Sequence, residues 1–328
     1  SAAQLSASNM VGLADAHIAI HGTRPNDRLG KTDESFSSIG DFDGDGKEDL
    51  AIIQHGYYSS GIPGYIHVFS SSQFVQQTSY DVTDSAISIQ LPRYEGQVNY
   101  IGDIDGDGLD DLAFYSANDS SIAGNWNRGF VYIFFGSSLL NGQSYNSSDA
   151  DLIIYGTAQH MYFGSSLGYV GDISGDGVDD LAVGAAYGGR YSEGFTSNEG
   201  AFYLFLSENL PSSGIVEHSI ADQVLDVGPG YESTYGSSTY PTGDLNGDGR
   251  ADLLVHDSPS GLATVFYSNT LETARSTNLV LTGLDADIQI QTTSVRTLSD
   301  VNNDGLKEIL TRTPSYGSGT FHVFGACP

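Results

Sequence analysis

Five copies of one acidic ten-residue loop constrain this chain more than any other feature of its sequence. They read DFDGDGKEDL from Asp41, DIDGDGLDDL from Asp103, DISGDGVDDL from Asp172, DLNGDGRADL from Asp244 and DVNNDGLKEI from Asp300. Each places an oxygen-bearing side chain at positions 1, 3 and 5, glycine at position 6 and a carboxylate at position 9. Carboxylates two residues apart repel one another unless a cation sits among them. A hard divalent ion that takes roughly six to eight oxygens, calcium, suits such a set. The pattern predicts about five Ca²⁺, mainly structural, because each loop serves as the turn between two strands.

The chemistry of the loop assigns side-chain ligands to positions 1, 3, 5 and 9 and a backbone carbonyl to position 7. The first site is then Asp41, Asp43, Asp45 and Asp49 with the Lys47 carbonyl; the second is Asp103, Asp105, Asp107 and Asp111 with Leu109. The third is Asp172, Ser174, Asp176 and Asp180 with Val178; the fourth is Asp244, Asn246, Asp248 and Asp252 with Arg250. Asp300, Asn302, Asp304 and Glu308 with Leu306 form the fifth. An EF-hand loop starts alike but requires an acid at position 12. Here that position holds Ile52, Phe114, Val183, Val255 and Thr311, so the helical families are excluded.

The rest of the composition fits this frame. Only 12 Lys and Arg oppose 41 Asp and Glu, a formal net charge of −29 that argues against nucleic acid or an anionic membrane as partner. Seventeen of those carboxylates occupy ligand positions, and five calcium ions would bring the charge to about −19. Cys327 is the sole cysteine, so no disulfide within the chain is expected. Calcium-stabilised chains of this kind suit an oxidising, calcium-rich exterior, which predicts a secreted or cell-surface location. Residues 1–14 show no charged start followed by an apolar run, as in a mature form or an excised domain. No run of 18 apolar residues predicts a membrane-spanning helix.

The loops begin 62, 69, 72 and 56 residues apart, a period that signals a propeller or solenoid. A short apolar strand follows each loop at Leu50–Ile53, Leu112–Tyr115, Leu181–Gly184, Leu253–His256 and Ile309–Arg312. A second, opened by glycine, starts at Gly64, Gly129, Gly200, Gly261 and Gly319. Outer strands are expected at Ala86–Leu91, Asp151–Tyr155, Val224–Val227 and Leu279–Thr282, and inner strands lead into each loop. No 3.6-residue periodicity competes. Four short strands per repeat predict an all-β, five-bladed propeller over residues 15–328, after a lead-in at 1–14. His17–His21 is expected to complete the last blade and close the ring.

With these residues in place, the chain resembles the FG-GAP repeats of integrin α-subunit propellers and their bacterial relatives. The third copy carries Phe163-Gly164 before its loop and Gly184-Ala185-Ala186 after it; weaker forms are Leu29-Gly30 and Tyr235-Gly236. Integrin propellers have seven blades, and the five counted here depart from that pattern. The resemblance implies a recognition or adhesion module, alone or as part of a larger adhesin, with a glycan or protein ligand.

A ligand is expected at the end of the blades away from the metal loops, where longer connections emerge. These carry Arg24, Arg28, Tyr57, Tyr58, Arg93, Asn125, Trp126, Arg128, His160, Tyr162, Tyr187, Arg190 and Tyr191. Five of the 12 basic residues fall in this group, and arginine beside aromatics is the usual anchor of a recognition surface. The alternatives are a lectin and a polysaccharide hydrolase or lyase. The latter needs a carboxylate pair flanking one bond; Glu95, Asp119, Glu193, Glu199 and Glu232 are free of the loops, but no motif pairs them. No catalytic residue is assigned.

Overall fold

Aromatic and β-branched residues flank each acidic loop, and strands form where they concentrate. The structure is a computed structural model that describes residues 17–23, 28–30, 35–56, 61–75, 78–92, 97–117, 127–139, 142–185, 200–226, 238–257, 261–277, 279–313 and 320–324. After β1 (Ala19–His21), the first repeat supplies β2 (Phe36–Ser38), β3 (Leu50–Gln54), β4 (Tyr65–Phe69), β5 (Ser79–Asp81) and β6 (Ile87–Gln90). The second supplies β7 (Gln97–Tyr100), β8 (Leu112–Ser116), β9 (Phe130–Phe134), β10 (Gln143–Asn146) and β11 (Leu152–Tyr155). The third supplies β12 (Phe163–Gly171), β13 (Asp180–Ala185), β14 (Ala201–Phe205), β15 (Gly214–Glu217) and β16 (Gln223–Asp226). In the fourth, β17 (Ser238–Pro241), β18 (Leu253–Asp257) and β19 (Leu262–Phe266) precede α1 (Ser268–Thr277), β20 (Leu281–Thr282) and β21 (Ile288–Gln291). The fifth holds β22 (Ser294–Leu298), β23 (Glu308–Thr313) and β24 (Thr320–Phe324).

Each repeat folds as an antiparallel sheet that runs from its inner strand outward, for example β2-β3-β4-β6. The register is the same in all five. The first apolar residue after the loop pairs with an aromatic of the next strand: Leu50 with Phe69, Leu112 with Phe134, Leu181 with Phe205, Leu253 with Phe266 and Ile309 with Phe324. Alternation then sends one set of side chains forward and the other back. Neighbouring sheets bury these sets between them in four apolar clusters. Between the first two sheets, Ile53, Ile66 and Ile89 meet Phe114, Tyr132 and Phe134, with the Phe114 and Tyr132 rings stacked 4.8 Å apart.

Two features depart from the strand assignment made on sequence. The run Leu279–Thr282 is not the outer strand of the fourth sheet; β21 takes that place, pairing Ile288 with Val265. Leu281–Thr282 instead lies parallel to β16 of the third sheet, with Leu281 buried there. The same arrangement recurs in β5 on β1, β10 on β6 and β15 on β11. Each connection thus lays a short strand along the outer edge of the preceding sheet, which shields an edge that would otherwise be open. The second departure is α1, which buries Ser268, Leu271 and Ala274 at a spacing of three. So brief a stripe does not stand out as helical periodicity.

Among the described residues β1 pairs with β5, and no pairing joins it to β24. Phe321 and Val323 on β24 are 64% and 54% exposed, and Phe36 on β2 is 55% exposed. These apolar side chains mark the two ends of the stack of sheets. No helix among the described residues is long and apolar enough to cross a membrane.

Candidate metal loops and recognition face

Each acidic loop is shaped by its first aspartate, which accepts hydrogen bonds from the backbone ahead of it. Asp41 Oδ2 accepts from Gly46 N at 2.7 Å, and the equivalent bond is 2.8 Å in the second, third and fourth loops and 2.9 Å in the fifth. Wrapping this tightly puts position 6 at positive φ, +82° at Gly46 and +93° at Gly305, where only glycine is unstrained. Position 4 shares that region, and Asn303 adopts φ 61° where the other loops have glycine. Asparagine tolerates this conformation best among residues with a side chain.

The wrapping gathers carboxylates. One oxygen from each of Asp41, Asp43 and Asp45 lies within 4.8 Å of the others; the same holds for Asp103, Asp105 and Asp111, and for Asp300, Asp304 and Glu308. Position 5 is oriented by the amide of position 7, as in Leu109 N to Asp107 Oδ1 at 2.8 Å. The donor set is entirely oxygen, which fits calcium better than a softer metal. Glu308 closes the fifth loop. Its Oε2 accepts from Val301 N at 2.8 Å, while its buried Oε1 has no hydrogen-bond partner among the described residues. In the other four loops the equivalent oxygen accepts the amide two residues beyond the third strand, and Ala326, which holds that place in the fifth repeat, lies outside the described residues.

The position-9 acids do more than face the loop. Both Asp111 oxygens accept buried amides, Oδ2 from Ile104 N and Oδ1 from Gly136 N, each at 2.8 Å. Asp49 joins Phe42 N to Ser71 N, Asp180 joins Ile173 N to Ser207 N, and Asp252 joins Leu245 N to Ser268 N. Each acid thereby ties its loop to the segment that follows the third strand. There, Ser207 and Ser268 hydroxyls donate to the position-5 carboxylates Asp176 and Asp248 at 3.2 and 2.7 Å. Sequence reasoning missed these serines, although Ser71, Ser207 and Ser268 occupy the same place after an aromatic-rich strand.

Burial pushes the Asp111 carboxyl up to about 8 and those of Asp49, Asp180 and Asp252 up to about 6. The cation-free folded chain therefore holds protons that the unfolded chain releases between about pH 4 and pH 8, so its stability falls as pH rises through that window. The chelated protein is expected to melt higher near pH 5 than near pH 8, and added calcium to stabilise more at the higher pH. Calorimetry with and without EDTA measures both; a chelated protein that melts highest at pH 8 would contradict the burial of these acids.

Antiparallel pairing sends the connections β8–β9 and β11–β12 to the end of the sheets away from the loops. They meet there. Asn127 Nδ2 donates to Tyr162 OH at 2.7 Å and lies 3.1 Å from His160 Nδ1, and Tyr162 N donates to the Asn127 carbonyl at 3.0 Å. All three residues adopt positive φ, at 56°, 59° and 52°. Arg128 follows directly, half-buried, and Arg28 has φ 48° at the start of the first repeat. Asn127 was not among the residues expected here; of those that were, Arg24, Tyr57, Tyr58, Arg93, Asn125, Trp126, Tyr187, Arg190 and Tyr191 lie outside the described residues, as do Glu95, Asp119, Glu193, Glu199 and Glu232.

The repeat unit is recognisable against known proteins. The FG-GAP repeat family matches residues 35–69 and 163–205, one stretch around the first metal loop and one around the third. The chain carries FG-GAP repeats. In the third copy the two namesake elements face one another across β12 and β13, where Phe163 pairs with Ala185. Phe163 is fully buried against Tyr203 and Phe205, and a side chain on Gly164 would strike Tyr115 and Val131. Small residues let the FG-GAP strands approach this ring closely.

Among curated proteins, integrin alpha-PS2 of Drosophila melanogaster is 29% identical over 84% of this chain. Integrin alpha-5 of Xenopus laevis is 29% identical over 66% of it. The chain spans about a fifth of the length of these relatives, 20% and 19%. Among solved structures, the exotype rhamnogalacturonan lyase YesX aligns with 89% of this chain and 48% of its own at a TM-score of 0.44 and 15% identity, a likeness too loose to bear on function.

Proposed function

We propose that this chain is a calcium-stabilised, five-bladed β-propeller, one domain from about residue 15, that presents the face away from its metal loops to an extracellular glycan or protein. The observation that carries this reading is the cluster of Asn127, His160 and Tyr162. Three residues with side chains are held in left-handed backbone conformations at one spot. Asparagine and histidine enter this region more readily than most residues, but Tyr162 there costs roughly 1–3 kcal/mol, and such strain concentrates at ligand-binding sites. Polar and aromatic groups lie together there on a rigid scaffold, the usual construction of a recognition surface. The resemblance to integrin α subunits supplies the adhesive role and the secreted or surface location.

Ring closure belongs to the same proposal. The β1–β5 pair repeats the parallel pairs β6–β10, β11–β15 and β16–β20. In those pairs the earlier strand is the outer strand of a sheet. By that rule β1 is an outer strand whose inner companions come from elsewhere, and among the described residues the fifth sheet has three strands. Joining β1 to β24 would add the fourth strand beside β24.

Binding to a glycan array and to extracellular-matrix proteins, in calcium and in EDTA, tests the recognition role. Tyr162→Ala is expected to weaken binding at least about tenfold, the worth of one well-placed polar aromatic contact, with melting nearly unchanged. Parallel loss of binding and melting would make Tyr162 a packing residue, and release of cleaved sugar would replace the reading with an enzyme.

A further inference from the structure

Consecutive acidic loops are bonded to one another, not only to their own sheets. At position 8 of the second loop, Asp110 donates its amide to the Asp41 carbonyl at 3.2 Å, and its Oδ2 accepts from Asp41 N at 2.6 Å. Asp41 is the first ligand of the preceding loop, so both backbone groups of that residue are held from the next repeat. The other carboxylate oxygen, Oδ1, accepts from Tyr100 OH at 3.1 Å, which fixes the orientation of Asp110. The next interface repeats the device. Asp179 N donates to the Asp103 carbonyl at 3.1 Å, and Asp179 Oδ2 accepts from Asp103 N at 3.2 Å. Tyr169 packs against Tyr100 with ring centroids 5.1 Å apart, linking the two clamps.

The space for each clamp comes from the glycine before the clamped aspartate. A Cβ on Gly40 would overlap the Asp110 carboxylate and the Tyr100 ring; one on Gly102 would overlap Asp179 and Tyr169. At the third interface position 8 is Ala251, and only its amide reaches back, to the Asp172 carbonyl at 2.8 Å. At the fourth, the Lys307 stem lies beside Gly243. The carboxylate clamp thus belongs to the first and second loops, as bound by the second and third repeats.

We propose that Asp110 and Asp179, which sit outside the ligand sets, are positioning residues that hold the first ligands Asp41 and Asp103 of the preceding loops for calcium. The inference rests on the calcium reading above. A hydrogen bond between a carboxylate and a backbone amide is of the stronger kind, and here it fixes the residue whose side chain both wraps the loop and faces the ion. Metal affinity in one repeat therefore depends on a side chain of the next.

A calcium titration of the full chain by calorimetry, with native mass spectrometry to count ions, tests this through a double-mutant cycle. Asp45→Ala, at the position that is aspartate in all five loops, should abolish the first site and identify it. Asp110→Ala should weaken that same site about tenfold, and Asp110→Asn, which keeps one acceptor for the Asp41 amide, should restore most of the affinity. In the Asp45→Ala background, Asp110→Ala should change nothing at the remaining sites. If Asp110→Ala instead weakens a site that survives Asp45→Ala, Asp110 serves its own loop through neighbouring Asp111, and the inference falls. Equal weakening by Ala and Asn would also overturn it. A wild-type chain that binds no calcium would remove the calcium reading and this inference together.

Discussion

Removing divalent cations with EDTA is expected to lower the melting temperature of the protein by about 10–20 °C. Extracellular calcium modules bind with dissociation constants of roughly 10⁻⁴–10⁻³ M. At about 10 mM calcium, each site then adds about 1.4–2.7 kcal/mol by mass action. Five such sites sum to about 7–14 kcal/mol, against an unfolding entropy for a chain of 328 residues of roughly 0.7 kcal/mol per degree. The structural reason for so large a dependence is that every loop joins its two strands through a concentration of like charge. Asp41, Asp43 and Asp45 have oxygens within 4.8 Å of one another, and Asp49 closes the loop from a buried position. The scanning experiment compares calcium, magnesium and EDTA at constant ionic strength. Coincident melting curves would remove any structural role for the ion.

The shape of the acidic loops was legible in the sequence because it is set within ten residues. The first aspartate, the two alternating ligands and the left-handed glycine are local features, and the structure shapes them as local physics requires. Features that depend on a second repeat were not legible. Nothing near Leu281 announces that it will lie along β16 rather than beside β19, since a short apolar strand carries no record of its partner. The outer strand Ile288–Gln291 has an alternating pattern, yet its neighbour Leu279–Thr282 is the more apolar run. Asp110 reads as one more acid in an acidic loop until Asp41 is brought against it from 69 residues away. The Asn127, His160 and Tyr162 cluster was half visible. Arginine and aromatic content pointed to its end of the sheets, but only the backbone reveals that three of its members are left-handed.

Among the position-9 acids, Asp111 shows how the loss of one side chain should damage both the candidate metal site and the fold. It is fully buried, and its two oxygens hold the amides of Ile104 and Gly136, one within the loop and one at the exit of β9. Asp111→Ala leaves two buried N–H groups without acceptors, at about 1–3 kcal/mol each, before any calcium is lost. Asparagine is no better, because its one carbonyl oxygen can serve one amide while its NH₂ is turned against the other. Asp105→Asn is the contrasting change: Asp105 is exposed, and its Oδ1 accepts from Asp107 N, a bond that an asparagine oxygen can keep. In calcium, both substitutions should lower melting. In EDTA, Asp105→Asn should melt like the wild type or slightly above it, since it removes a like charge from the loop. Asp111→Ala and Asp111→Asn should still melt about 3–9 °C lower, the equivalent of the two stranded amides. If all three variants converged on the wild type in EDTA, position 9 would be a metal ligand and nothing more, and the tie between loop and sheet would carry no stability of its own.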